Sequence, residues 1–146
     1  MTLRSRRARW FWTVLALLVT AFIWGNSLQT ADQSSGHSLT VLAWVRPLLE
    51  RTGLDPALFH TLVRKLAHMS EFAALAFCWA LSLGRGPWAL GLAGLTAAAD
   101  ETIQRFVPGR AGMVQDVFID LAGAALGLLA AWICLRLLAL FRRKRQ

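Results

Sequence analysis

At 146 residues, 56% hydrophobic and 16% charged, the chain is too poor in charge and too rich in Leu, Ala, Gly and Trp for an ordinary soluble domain, and a single membrane domain is the natural class. The net charge of +8 would suit a nucleic-acid binder, but the basic residues crowd into Arg4, Arg6, Arg7 and Arg9 before the first apolar run, Arg136, Arg142, Arg143, Lys144 and Arg145 after the last, and Arg85 in a central turn. No recognition motif or folded basic surface lies between those tails, so no nucleic-acid partner is expected.

The intervening segments hold six basic and eight acidic residues. That asymmetry is the positive-inside pattern and predicts both termini in the cytoplasm. The first apolar run, residues 10–28, is long enough to span a bilayer. Ser5-Arg6-Arg7 faintly resembles a twin-arginine export signal, but no small-x-small cleavage site follows Trp24, so a retained anchor is expected. Beyond it, Ser34, Ser35 and Gly36 make a turn. Leu39, Leu42, Val45, Leu48 and Leu49 then recur at near-helical spacing, which predicts a short amphipathic helix on the outer surface or packed on the bundle, bent or ended at Pro47.

Asp55-Pro56 is a helix start, with an N-cap acceptor followed by proline in the first turn. The second span runs over about 64–83 and stops at the tight cytoplasmic turn Gly84-Arg85-Gly86-Pro87. A third occupies about 88–107, ended by Pro108-Gly109, and a fourth about 115–135, followed by an interfacial extension. The expectation is an all-α, four-span bundle in a bacterial cytoplasmic membrane, a single domain over 1–146 with basic tails 1–9 and 136–146. Trp10, Trp12, Trp79, Trp88 and Trp132 fall near the inner boundary, Trp24 and Trp44 near the outer. Gly91 and Gly94, and the GxxxG of Gly123 and Gly127, are assigned to helix packing. The GxxxG could instead serve a homodimer. Cys78 and Cys134 show neither metal-ligand nor disulfide spacing and read as small buried hydrophobes.

Against this apolar background the acids stand out. A mid-membrane Asp or Lys costs about 2.5 to 3.5 kcal/mol, and an intramembrane ionisable residue is a functional-site hypothesis by default. In the expected topology Glu71, Glu101 and Asp120 lie at similar depth in the outer leaflet, each roughly 7 to 9 Å below its helix's outer end. Lys65, His68 and Phe72 share a stripe with Glu71 beside it; Glu101 and Gln104 share another; Asp116, Asp120, Gly123 and Gly127 form a third. Arg105 and Arg110 come from the outer turn, Arg110 being the better partner for a carboxylate or phosphate. Two readings stay open: an ion-pair network that assembles the bundle, and a pocket open to the outer face. Asp100, turned about 100° from Glu101, is expected to support a neighbouring helix or turn.

Three segments, VRKLAHMSEFAALA from Val63, DETIQRFVPGR from Asp100 and DVFIDLAGAALG from Asp116, resemble the signature blocks of the VanZ-like family, small bacterial membrane proteins named after an accessory glycopeptide-resistance protein. The resemblance covers about residues 10–135. Phe72 stands where the family commonly has Tyr, and Ile103 where His is frequent. The resemblance implies a multi-pass protein of the cell envelope, linked in the namesake to low-level teicoplanin resistance and so to antibiotic resistance, and it supplies no established reaction.

Three functions follow. One is a protein that binds or transports an envelope lipid or lipid-linked precursor, with Lys65, Arg105 and Arg110 meeting a phosphate and Glu71, Gln104, Asp116 and Asp120 completing the pocket. Another is a membrane-embedded hydrolase or transferase with His68 and Glu101 as acid and base. That His-plus-carboxylate set could also hold a divalent metal, though no HExxH or nucleophile elbow is present, so the cofactor is left undetermined. The third is an accessory structural membrane protein.

Overall fold

The computed structural model describes residues 5–30 and 55–143, and all four elements among them are helices: α1 Arg6–Ser27, α2 Pro56–Leu83, α3 Gly86–Gln104 and α4 Val114–Arg143. The amphipathic helix expected over 39–49 lies outside the described residues. Helix boundaries have local causes. The Ser5 hydroxyl accepts from Ala8 N–H at 3.2 Å, and the Asp55 carboxylate from Ala57 N–H at 3.0 Å ahead of Pro56. Each satisfies a donor that a helix start leaves orphaned. At the other end of α2, Gly84 takes the left-handed conformation (φ 67°) and its N–H reaches Ala80 O at 3.0 Å, a cap that only glycine adopts without cost.

Some bounds differ from expectation. α3 stops at Gln104, short of the expected 107, and α4 continues unbroken to Arg143, absorbing the interfacial extension. α1, α2 and α4 are long and apolar enough to cross a membrane. α3, 19 residues long, is diluted by its glycines and by Asp100-Glu101, and it packs against all three other helices.

The side-chain distribution requires lipid around the bundle. Leu17, Leu18 and Phe22 on α1 and Leu126, Leu129 and Trp132 on α4 face outward, while Ser27, Asp100, Glu101, Gln104 and Asp120 are buried. A soluble protein rarely exposes so much apolar surface. Hydroxyls are satisfied within their own helices: Thr20 bonds Ala16 O, Thr96 bonds Leu92 O and Thr102 bonds Ala98 O, as a bilayer core without water demands. The chain is a multi-pass membrane protein.

The closest helix contact joins α2 and α4. A Cβ on Gly123 would collide with the carbonyl oxygen of Met69 and lie 2.8 Å from its Cα, and one on Gly127 would collide with the carbonyl oxygen of Ala73. Both partners advance four residues together, so α2 and α4 run parallel in register. Gly94 is looser, its added methyl meeting only Leu121 Cδ2 at 3.3 Å. Gly91 corrects the sequence expectation, because it is exposed and a Cβ there would touch nothing within 4 Å.

α1 runs antiparallel to α2. At one end the Arg9 Nε–H donates to Ser82 O at 3.3 Å and the Thr13 and Ser82 hydroxyls lie 2.6 Å apart; a cation at the C-terminal end of α2 also suits the helix dipole. Midway, Ala16, Ile23, Phe72, Leu75, Ala76, Ala93, Ala97 and Ala124 form a core dominated by alanine, the packing expected where close backbone approach, not expulsion of water, joins helices.

Candidate functional site

The first turns of α2 place Thr61, Arg64, Lys65 and His68 against the start of α4, where Asp116, Ile119 and Asp120 follow each other on one face. Together with Glu101 and Gln104 from the end of α3, and Met113 from the connecting loop, they line a cavity of about 200 Å³. Lys65 Nζ donates to Asp116 Oδ1 at 2.9 Å across the α2–α4 seam. This pair is a third to a fifth exposed (34% and 22%), so a double-mutant cycle of Lys65→Met and Asp116→Asn should return a coupling of only about 1 kcal/mol. Thermal melts of the four proteins in detergent measure it, and a coupling of several kcal/mol would show the seam to depend on this bridge.

Glu101 is positioned by the loop. Its Oε2 accepts from the Met113 N–H at 2.7 Å, placing a carboxylate at the electropositive start of α4. The loop can approach because Gly112 has no side chain: a Cβ there would collide with the Glu101 carbonyl oxygen and lie 2.8 Å from Arg105 Cγ. Gly109 turns the chain with φ 76°.

Asp120 stands apart from these paired acids. It is 1% exposed, its Oδ2 is buried without a hydrogen-bond partner, and it lines the cavity. Arg64 and His68 likewise line the cavity with no hydrogen bond or ion pair recorded among the described residues.

Glu71 and Arg110, assigned to the pocket from sequence, are not among its lining residues. They belong to a second polar cluster behind it, at the end of α1. Asn26 Nδ2 donates to Glu71 Oε1 at 3.3 Å, and Arg110 Nη2 donates to the Asn26 carbonyl at 3.0 Å. Gln104 joins the two clusters: it lines the cavity, and its Nε2 donates to Asp100 Oδ2 at 2.8 Å and to Ser27 Oγ at 3.2 Å. Asp100 is fully buried, and Asp100 Oδ1, Glu71 Oε2 and Arg110 Nε have no partner. Burial lowers the Arg110 pKa from its ordinary value, nearby Arg64 adds to this, and the charges of Asp100, Glu101 and Glu71 oppose it. A guanidinium stays charged through such shifts.

The sequence reading thus names Lys65, His68, Glu101, Gln104, Asp116 and Asp120 of the cavity wall, and passes over Arg64, Thr61, Met113 and Ile119. Arg64 precedes His68 by four residues, so the two share a helix face. That spacing was the available signal. No group of three or more His, Cys, Asp or Glu side chains among the described residues is arranged to hold a metal ion.

The family model of VanZ/LLP1 matches residues 11–136. The chain belongs to that family. Among curated proteins and solved structures, none matches it. In this VanZ-family chain the matched region takes in all of α2 and α3, the α3–α4 loop and every residue of both polar clusters.

Proposed function

We propose that this VanZ-family protein crosses the bacterial cytoplasmic membrane four times, with both termini in the cytoplasm, and binds the headgroup of an envelope lipid or lipid-linked precursor in the cavity between α2, α3 and α4. Arg85 between α2 and α3 and the basic tails put those ends inside, which puts the cavity in the outer half of the bilayer. The observation that carries the reading is Asp120, a buried residue whose Oδ2 has no partner, on the wall of a cavity that also presents Arg64. A buried, unpaired carboxylate is costly; a ligand that meets it offsets the cost, and simple helix packing would not need it. The namesake's link to teicoplanin resistance makes glycopeptide tolerance the cellular phenotype of this site.

Arg64 replaces Arg110 as the phosphate partner in this scheme. Losing one charge-assisted hydrogen bond of about 1.5–3 kcal/mol should weaken phospholipid binding by roughly ten- to a hundredfold in Arg64→Ala. Titration of a short-chain phospholipid into the detergent-purified protein measures this. Unchanged affinity in a folded Arg64→Ala protein would overturn the lipid-binding reading.

A second reading, a hydrolase or transferase using His68 and Glu101, draws support from the two side chains lining the same cavity. Against it, one Glu101 oxygen is already committed to the Met113 amide. In the third, an accessory structural protein, the same charges only assemble the bundle.

A further inference from the structure

Resting on the proposed headgroup site, we infer that its ligand is zwitterionic: a small anionic oxyacid group carrying a primary ammonium, as in phosphoethanolamine, and not a purely anionic phosphate or diphosphate. The charges left over after internal pairing decide this. Lys65 is bonded to Asp116, and Glu101 to the Met113 amide. An amide leaves the Glu101 charge in place, so what remains on the wall is Arg64 from α2, with no hydrogen bond or ion pair among the described residues, set against the carboxylates of Glu101 and Asp120, of which Asp120 Oδ2 is buried without a partner.

A diphosphate would satisfy Arg64 but bring further negative charge beside Glu101, Asp116 and Asp120 in a region of low dielectric, where like charges repel strongly. A simple amine would satisfy Asp120 and leave Arg64 facing it. A phosphate held by Arg64 with an ammonium donating to Asp120 meets both, and leaves His68 as a further donor to the phosphate oxygens. Size agrees. A cavity of about 200 Å³ is smaller than the roughly 300–1,000 Å³ of sites that enclose a whole drug-sized molecule, which matches a small headgroup.

The acyl chains have a place to lie. Leu62 and Leu66 on α2 and Phe118 on α4 are exposed apolar residues beside the lining residues in sequence. The membrane is therefore the expected source of the headgroup.

The test titrates the full chain in detergent with dioctanoyl phosphatidylethanolamine, dioctanoyl phosphatidylglycerol and free phosphoethanolamine. The expected result is at least about tenfold tighter binding of phosphatidylethanolamine than of phosphatidylglycerol. Asp120→Asn should erase that preference, weakening phosphatidylethanolamine, which loses its ammonium partner, and tightening phosphatidylglycerol, which loses a repelling charge; free phosphoethanolamine should bind more weakly than its lipid. Equal or tighter binding of phosphatidylglycerol to the unmodified protein would overturn the zwitterion assignment and leave the headgroup site standing. That comparison needs no variant, so it decides the class even if Asp120→Asn fails to fold. Free phosphoethanolamine binding as tightly as the lipid would overturn the membrane source. Absence of saturable binding of all three probes to folded protein would overturn the headgroup site itself.

Discussion

Gly127→Ala should destabilise the bundle by about 2–3 kcal/mol, the cost of forcing a methyl into a closed contact, although alanine is the better helix former by about 1 kcal/mol. The added Cβ would collide with the Ala73 carbonyl oxygen and lie 2.7 Å from its carbonyl carbon. Backbone atoms cannot rotate away as a flexible side-chain end does, so α2 and α4 must separate. Gly91→Ala is the control, because a Cβ there meets nothing within 4 Å; it should be neutral or slightly stabilising. Thermal or SDS unfolding followed by helix content gives the comparison, and equal stability of the two variants would show that the α2–α4 seam is not close-packed at Gly127. The effect should reach the cavity. Lys65 and Asp116 lie about two turns or more before Ala73 and Gly127 on the same seam, so parted helices lengthen their 2.9 Å bridge and widen the space between Arg64 and Asp120.

The seam was legible in the sequence because Asp116, Asp120, Gly123 and Gly127 repeat every three or four residues, and one helix's periodicity fixes which of its residues share a face. Asp55-Pro56 and Gly84 were legible for a similar reason, since caps are local chemistry. What periodicity cannot give is the neighbour that a face meets. Glu71 was placed beside the stripe of Lys65 and His68, yet it bonds to Asn26, a residue at the end of the first apolar run that drew no attention. Only the docking of α1 against α2 brings them together. Asp100 was expected to support a neighbouring helix or turn, and its bond to Gln104, four residues on in the same helix, was open to a spacing argument. Gly112 was not. Its closeness to the Glu101 carbonyl depends on how the loop folds back over α3, which no repeat encodes.

The second large effect lies in the cluster behind the cavity. Arg110→Met should cost about 2 kcal/mol, the scale of a hydrogen bond to a charged group. Arg110 Nη2 holds the Asn26 carbonyl at 3.0 Å, so its loss frees the end of α1. It also removes the cation whose charge faces Glu71 and Asp100, both of which already have a buried oxygen without a partner. Arg110→Lys keeps the charge but not the planar fork and should recover only part of the loss. The informative variant is the double substitution Arg110→Met with Asp100→Asn. If the cluster is a charge-balanced support for α1, removing an anion along with the cation should make the double variant more stable than Arg110→Met alone in a detergent melt. A double variant less stable than Arg110→Met would mean that Asp100 supports the fold without reference to Arg110. Because Arg110 does not line the cavity, Arg110→Lys should leave phospholipid affinity within about twofold, whereas Arg64→Ala should not. The two arginines thus have separate roles: Arg110 secures the end of α1 through the Asn26 carbonyl, beside Glu71 on the Asn26 amide, while Arg64 shares the cavity wall with the unpartnered Asp120 Oδ2, where a ligand would bind.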